Sequence, residues 1–227
     1  MRVVQREVPG AQREAPFALR EVANVRWWRG GAPDRGIADL ELLALDLETT
    51  GLEPGRHEII SVGMVPVSGL TIELSGAQQW AVRPTGADGV GQSATVHGIT
   101  DDAVAEALPL QEVLPQVLTA LDGRVLLAHH ASIEVGFLTR ASRAADLPVP
   151  DLTVVDTVRL QRRVLRLGRT RGHLGEEDLA LAAAREHLGL PRYRSHEALT
   201  DALACAELYL AQVAVLGEDL SLRQLLR

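Results

Sequence analysis

Asp46 and Glu48 stand two residues apart in an apolar run, Leu42-Leu43-Ala44-Leu45-Asp46-Leu47-Glu48. A β-strand alternates its faces with period two, so both carboxylates project to the same side. Burying two like charges together raises their pKa values steeply unless a cation compensates them. A bound divalent metal is the simplest compensation, which makes the pair a candidate metal site on chemical grounds alone. Three further strings bring carboxylates or histidines to places where a strand or helix would hold them rigidly. They are VHGIT from Val96, AHHASIEVGFL from Ala128 and SHEALTDALACAEL from Ser195.

Asp201 opens the last long helical pattern, with His196 five residues before it. On an ideal helix that offset points two side chains about 140° apart. They converge only if His196 lies in the loop or first turn ahead of the helix. Pro191-Arg192-Tyr193-Arg194-Ser195 supplies such a loop, with Ser195 as a candidate cap. A histidine placed there, near metals, changes its proton state around neutral pH.

The elements that must position these groups are readable in outline. Strand patterns run from Leu42 to Glu48, Glu58 to Val67, Thr71 to Val82, Val125 to Ala128 and Leu152 to Val155. The short Ser68-Gly69 connection makes the second and third an antiparallel hairpin. Helical patterns follow at Leu110 to Leu121, Ser132 to Ala145, Thr157 to Leu167, Glu177 to Leu188 and Ala198 to Val215. Antiparallel strands followed by alternating strands and helices predict an α/β or α+β domain with a mixed sheet of these five strands flanked by helices. Residues 1–38, punctuated by Pro and Gly, read as a partly helical extension, with one amphipathic helix at Ala15 to Trp28. Residues 39–216 read as the main domain and 217–227 as a short tail.

Bulk properties narrow the classes. Hydrophobic content of 46% and charged content of 23% are those of an ordinary globular protein. A net charge of −7 argues against coating nucleic acid through global charge, but not against gripping a few phosphates locally. All 23 basic residues are arginine, which weakens any single arginine as a functional signal. The lone Cys205 excludes an internal disulfide and suits a reducing cytosol, where it reads as a small buried hydrophobe. No signal-peptide core and no apolar run of membrane-spanning length is visible, so a cytoplasmic protein without a membrane partner is expected.

The four strings together resemble the motifs of the DnaQ-like, DEDDh-type 3′–5′ exonucleases, the family of the proofreading epsilon subunit of bacterial DNA polymerase III. The resemblance runs from about Leu42 to Leu210. It implies a ribonuclease H-like sheet carrying four acidic ligands for two divalent metals, here Asp46, Glu48, Glu134 and Asp201. It implies His196 as general base, and Thr49 and His97 as lining of the terminal-nucleotide pocket. Carboxylate ligands suit Mg²⁺ or Mn²⁺ better than Zn²⁺. The implied reaction is metal-dependent removal of nucleoside 5′-monophosphates from single-stranded 3′ ends, with DNA favoured over RNA. An RNA exonuclease on the same site, or a catalytically weak nucleic-acid-binding relative, are the alternatives. Nothing in the chain identifies a polymerase partner.

Two departures stand out. Where the family has Asn-x-x-x-Asp, this chain has His130-Ala131-Ser132-Ile133-Glu134, and Gln92 replaces an acidic residue five positions before His97. Asp156 matches an Asp-Thr pair of the family and reads as a helix cap. After it, Arg159, Arg162, Arg163 and Arg166 share one helix face, either tracking a nucleic-acid backbone or simply solvated.

Overall fold

The computed structural model describes residues 25–26, 35–86, 89–168, 176–194 and 196–226. The extension's predicted helix at Ala15 to Trp28, its two tryptophans and Ser195 lie outside these residues. The exception is Val25–Arg26, which form not helix but a two-residue strand, β1.

β2 (Glu41–Thr49) is the central strand. It pairs antiparallel with β3 (Ile59–Ser68) and parallel with β7 (Val125–Ala128). β8 (Leu152–Asp156) continues the parallel side and carries β1 at its edge. On the other side β3 pairs with β5 (Gln78–Arg83) and with the short β4 (Thr71–Ile72), and β6 (Leu108–Pro109) closes the edge. The order is β1-β8-β7-β2-β3-β5-β6, with β4 off the path. The mixed sheet is therefore as expected. Five longer strands form its body, and three two-residue strands extend it beyond the five predicted.

The period-two pattern of β2 divides the core. Leu43, Leu45 and Leu47 pack under α3 (Leu110–Leu121) and α4 (Ser132–Ala144), which follow the short α1 (Ala94–His97) and α2 (Asp101–Val104). Leu42 and Ala44 face the opposite layer of α5 (Thr157–Gly168) and α7 (Ala198–Leu216), with α6 (Leu181–His187) alongside. Burying each such leucine contributes roughly 1.5–3 kcal/mol, so a one-residue slip of β2 would be costly. Asp46 and Glu48 continue the α7 side. Cys205 is buried there as a free thiol.

Two predicted elements are interrupted. The strand expected from Thr71 to Val82 breaks at a 3₁₀ turn, Leu74–Gly76. Pro66 of β3 lacks an N–H for the ladder, and a Cβ on Gly76 would lie 2.9 Å from its ring. The helix expected from Glu177 to Leu188 is a 3₁₀ turn at Glu176–Leu179, then α6, separated by the extended Ala180. The break lets Leu179 turn inward onto Val158 and Leu165.

Against the expectation that no run reaches membrane-spanning length, α7 carries a window of mean hydropathy 1.5, long and apolar enough by composition to cross a membrane. Here it is a core helix lying across β2, β3 and α5. Around the domain's edge, the Ile37 N–H donates to Leu220 O at 3.0 Å and the Leu222 N–H to Arg35 O at 2.9 Å. Leu222 and Leu225 of α8 (Leu222–Leu225) are buried in the α7 layer.

Candidate active site

Three elements deliver the acidic residues to one end of the sheet. β2 brings Asp46 and Glu48, and a β-bulge between Glu48 and Thr49 re-aims the strand as it leaves the sheet. α7 brings Asp201 in its first turn. Its approach depends on Gly63, which pairs with Asp46 across β2 and β3. A Cβ on Gly63 would sit 2.1 Å from the carbonyl carbon of Ala198, so only glycine lets the start of α7 rest directly on the sheet. α4 brings Glu134, which is 3% exposed.

His196 lies in the loop ahead of α7, as its spacing required. Its backbone takes φ of 71°, and its N–H donates to Asp201 Oδ2 at 2.7 Å. A non-glycine residue at such φ is strained and needs its surroundings to hold it there. Ligand-capable atoms of Glu48, His196 and Asp201 all lie within 4.8 Å of one another.

The loop carrying His196 is fastened from behind by a group that the motifs did not flag. Arg185 of α6 is buried and donates to Ala204 O (2.7 Å), Pro191 O (3.0 Å) and Glu207 Oε2 (2.8 Å). Its guanidinium stacks 4.5 Å from the centroid of the Tyr193 ring, and the Tyr193 hydroxyl donates to Glu207 Oε1. The arrangement ties α6, α7 and the 190–194 segment together.

The carboxylates feel one another. Glu48 is raised to about 7 by burial and by Asp201. Asp46 is pushed well above its ordinary range by burial, then by Glu48 and Asp201. Glu134 is raised by burial, then by Asp46 and Asp156, and its Oε2 has no hydrogen-bond partner among the described residues. Asp201 is raised by burial against the opposing help of its bonds to the His196 loop. Among the described residues no arginine forms an ion pair with any of the four. Only Asp201 is helped by positive charge, from His196 and Arg185, and a buried carboxylate cluster with an orphaned oxygen is a donor set suited to divalent cations.

Asp156 caps α5, accepting the Val158 N–H at 2.9 Å, and also accepts the His130 N–H at 3.2 Å. It is thus the cap the sequence suggested and, in addition, the anchor of the turn leading into α4. His130 there has φ of 63°. Its neighbour His129 is driven to about 4 by burial and contacts Thr157 Oγ1 at 2.8 Å.

His97 and His196 face a shared cavity of about 400 Å³ that also touches Gln79 and Arg194. The Ile99 N–H donates to His97 Nδ1 at 3.0 Å, leaving His97 Nε2 to donate to Ser93 Oγ at 2.9 Å. His97 therefore caps its own loop and presents a neutral ring, which burial and His196 both favour. The Thr49 hydroxyl bonds Gly51 O at 2.7 Å and shapes the turn beside the carboxylates. The side chain of Gln92 lies outside the described residues. The α5 arginine stripe is not wholly free: Arg163 donates to Gln224 O at 2.7 Å, holding α8.

The sequence profile described as Exonuclease matches residues 43–209. A PolC-type DNA polymerase III of Thermotoga maritima is 28% identical over 191 residues, which cover 83% of this chain and 13% of that protein. A DNA polymerase III subunit epsilon-like protein of Rhodobacter capsulatus is 33% identical over 174 residues, 75% of this chain and 23% of that protein. The chain thus spans well under a third of these relatives' lengths. Among solved structures, the nuclease domain of 3′hExo, a DEDDh family member bound to rAMP, superposes with TM-score 0.66 at 21% identity, covering 80% of this chain and 95% of that one. The E. coli ExoI–ssDNA complex in its zinc-bound form gives TM-score 0.67 at 12% identity, covering 78% and 41%.

Proposed function

The chain belongs to the DnaQ-like exonuclease family, and on that premise we propose that it hydrolyses single-stranded nucleic acid from the 3′ end, DNA in preference to RNA. Asp46, Glu48, Glu134 and Asp201 would hold two divalent cations, Mg²⁺ or Mn²⁺. When bound, these supply a more acidic water and charge stabilisation at the scissile phosphate. The terminal nucleoside sits against Thr49 and His97. The neutral His97 ring, with both nitrogens engaged by Ile99 and Ser93, offers the nucleotide a flat ring face without adding charge beside the carboxylates. The His196 ring accepts the proton of the attacking water as it adds to phosphorus. The bond from phosphorus to the 3′ oxygen of the penultimate nucleotide breaks, releasing a nucleoside 5′-monophosphate.

The observation that supports this most is the convergence of Glu48, His196 and Asp201 within 4.8 Å, with Asp46 raised by Glu48 and Asp201 and in turn raising Glu134, whose Oε2 is unpartnered among the described residues. General-base catalysis of this kind is typically worth about 10²–10⁴ in rate. The test is hydrolysis of matched DNA and RNA oligonucleotides in Mn²⁺, with and without chelator. Faster metal-dependent loss of DNA is expected. Faster loss of RNA makes the chain an RNA exonuclease, and binding without turnover makes it a catalytically weak relative.

A further inference from the structure

We propose a second nucleic-acid contact: a basic cavity next to the catalytic cleft that receives a backbone phosphate of the substrate strand upstream of the scissile bond. The inference rests on the exonuclease reading and names where the rest of the strand runs.

The cavity, about 290 Å³, lies between the β2–β3 loop, the end of β5 and the side of α4. Arg56, His57, Arg83 and Arg140 line it, with Phe137 on its wall and Glu58 as its one carboxylate. Glu58 is already satisfied. It accepts the Thr85 N–H (3.1 Å), the Gly86 N–H (2.9 Å) and the Thr85 hydroxyl, and these bonds hold its carboxyl below the usual range despite burial. It stays charged but forms no ion pair with the cavity's arginines among the described residues, and three arginines against one carboxylate leave the cavity net positive. Arg83 and Arg140 form no ion pair among the described residues, and Arg56 has only an exposed contact at 3.6 Å to Glu53. In a chain of net charge −7, this is a local reversal of sign. Arginine forks suit phosphate oxygens in two-point contacts, and such contacts fix register without reading sequence.

Position ties the cavity to the cleft. The loop between β2 and β3 runs from the carboxylate end of β2 to the cavity. A Cβ on Gly51, two residues after Thr49, would fall 2.5 Å from the His57 ring, so the ring packs against the part of the loop that leaves β2. Pro54 packs onto Gly136, two residues beyond Glu134, where a Cβ would lie 2.9 Å away. Arg140 lies six residues along α4 from Glu134, roughly 9 Å at helical rise and about 120° around the axis, so Glu134 is buried while Arg140 is exposed on another face. A strand that leaves the cleft past the start of α4 would bring an upstream phosphate to the cavity. The α5 stripe lacks this link, because Arg163 is engaged on Gln224 O.

The test uses the full chain and fluorescence anisotropy of a short labelled single strand in EDTA, where hydrolysis cannot interfere. Wild type is compared with the exposed pair Arg83→Glu/Arg140→Glu and with Arg143→Glu, which changes charge on the same helix outside the cavity. The double variant should bind at least tenfold more weakly, and its slope of log affinity on log salt should fall by about 0.7 for each phosphate that is no longer neutralised. In Mn²⁺ its preference for the long strand over a dinucleotide should fall at least tenfold in kcat/KM. Arg143→Glu should change none of these, and circular dichroism should show all three folded. Affinity within twofold of wild type, or an equal loss in Arg143→Glu, overturns the proposal. A wild-type protein that binds the strand but hydrolyses nothing defeats the exonuclease reading, while the anisotropy comparison still decides the cavity.

Discussion

The backbone N–H of His196 bonds Asp201 Oδ2 at 2.7 Å, fastening the loop histidine to the carboxylate beside it. One carboxylate oxygen is thereby committed to the loop. The two roles of Asp201 separate by substitution. Asp201→Asn keeps an acceptor for the loop and removes the charge, so it should abolish turnover with little change in stability. Asp201→Ala should lose turnover and also about 1.5–3 kcal/mol, the usual worth of a hydrogen bond to a charged group. Denaturant melts beside turnover assays check this. Equal stabilities of the two variants would contradict the fastening role.

His196→Ala should lower turnover by about 10²–10⁴ while substrate affinity survives. Single-turnover rates measure it, and wild-type turnover would mean that another group activates the water.

Glu48 sets a pH dependence opposite to that of an ordinary carboxylate. Its folded pKa of about 7 exceeds its ordinary 4.5, so the stability it contributes is full below 4.5 and is lost as pH rises through 7. His129, lowered to about 4, works in the opposite sense across the acid part of that range. The difference between wild type and Glu48→Gln isolates the first effect. In EDTA, wild type should lose Tm relative to Glu48→Gln between pH 5 and 8, and Mg²⁺ or Mn²⁺ should reverse the loss. A pH-independent difference would refute it.

Glu134 replaces the family's aspartate with a longer arm, yet it is almost fully buried and keeps an unpartnered oxygen at the site. We expect a site adapted to that reach. Glu134→Asp should not raise turnover, and Glu134→Ala should be severely damaging. Glu134→Gln should stabilise the metal-free protein at high pH, where the wild-type side chain must ionise in a buried site, and the advantage should shrink as pH falls and Glu134 takes up a proton. A clear gain from Glu134→Asp in both metals would instead mark a decaying site.

Gly63→Ala should cost about 1–3 kcal/mol and disable turnover, because the new Cβ meets the α7 backbone at 2.1 Å. Thermal melts and rates check it, and an unperturbed variant would mean that α7 shifts freely.

Much of this site was legible because its signals are local. The alternation along β2 placed Asp46 and Glu48 on one face, and the five-residue offset forced His196 off the helix. What stayed hidden depends on contacts between distant segments. Gly63 looks like any strand glycine until α7 lands on it. Asp156 reads as a helix cap, and only the fold adds its hold on His130, 26 residues away in sequence. Arg185 is one arginine among 23 basic residues until Glu207, Tyr193 and Pro191 close around it. The interrupted third strand follows from Pro66 on its neighbour, a pairing that the hairpin pattern alone does not register.

The most direct test of the central claim follows a 5′-labelled single strand through single turnover with wild type and Asp46→Ala, in Mg²⁺ and in excess EDTA. Wild type in metal should give a ladder shortened one nucleotide at a time from the 3′ end, with release of nucleoside 5′-monophosphates, and the other three reactions should give neither. Undiminished hydrolysis in EDTA, or an equal ladder from Asp46→Ala, would contradict it.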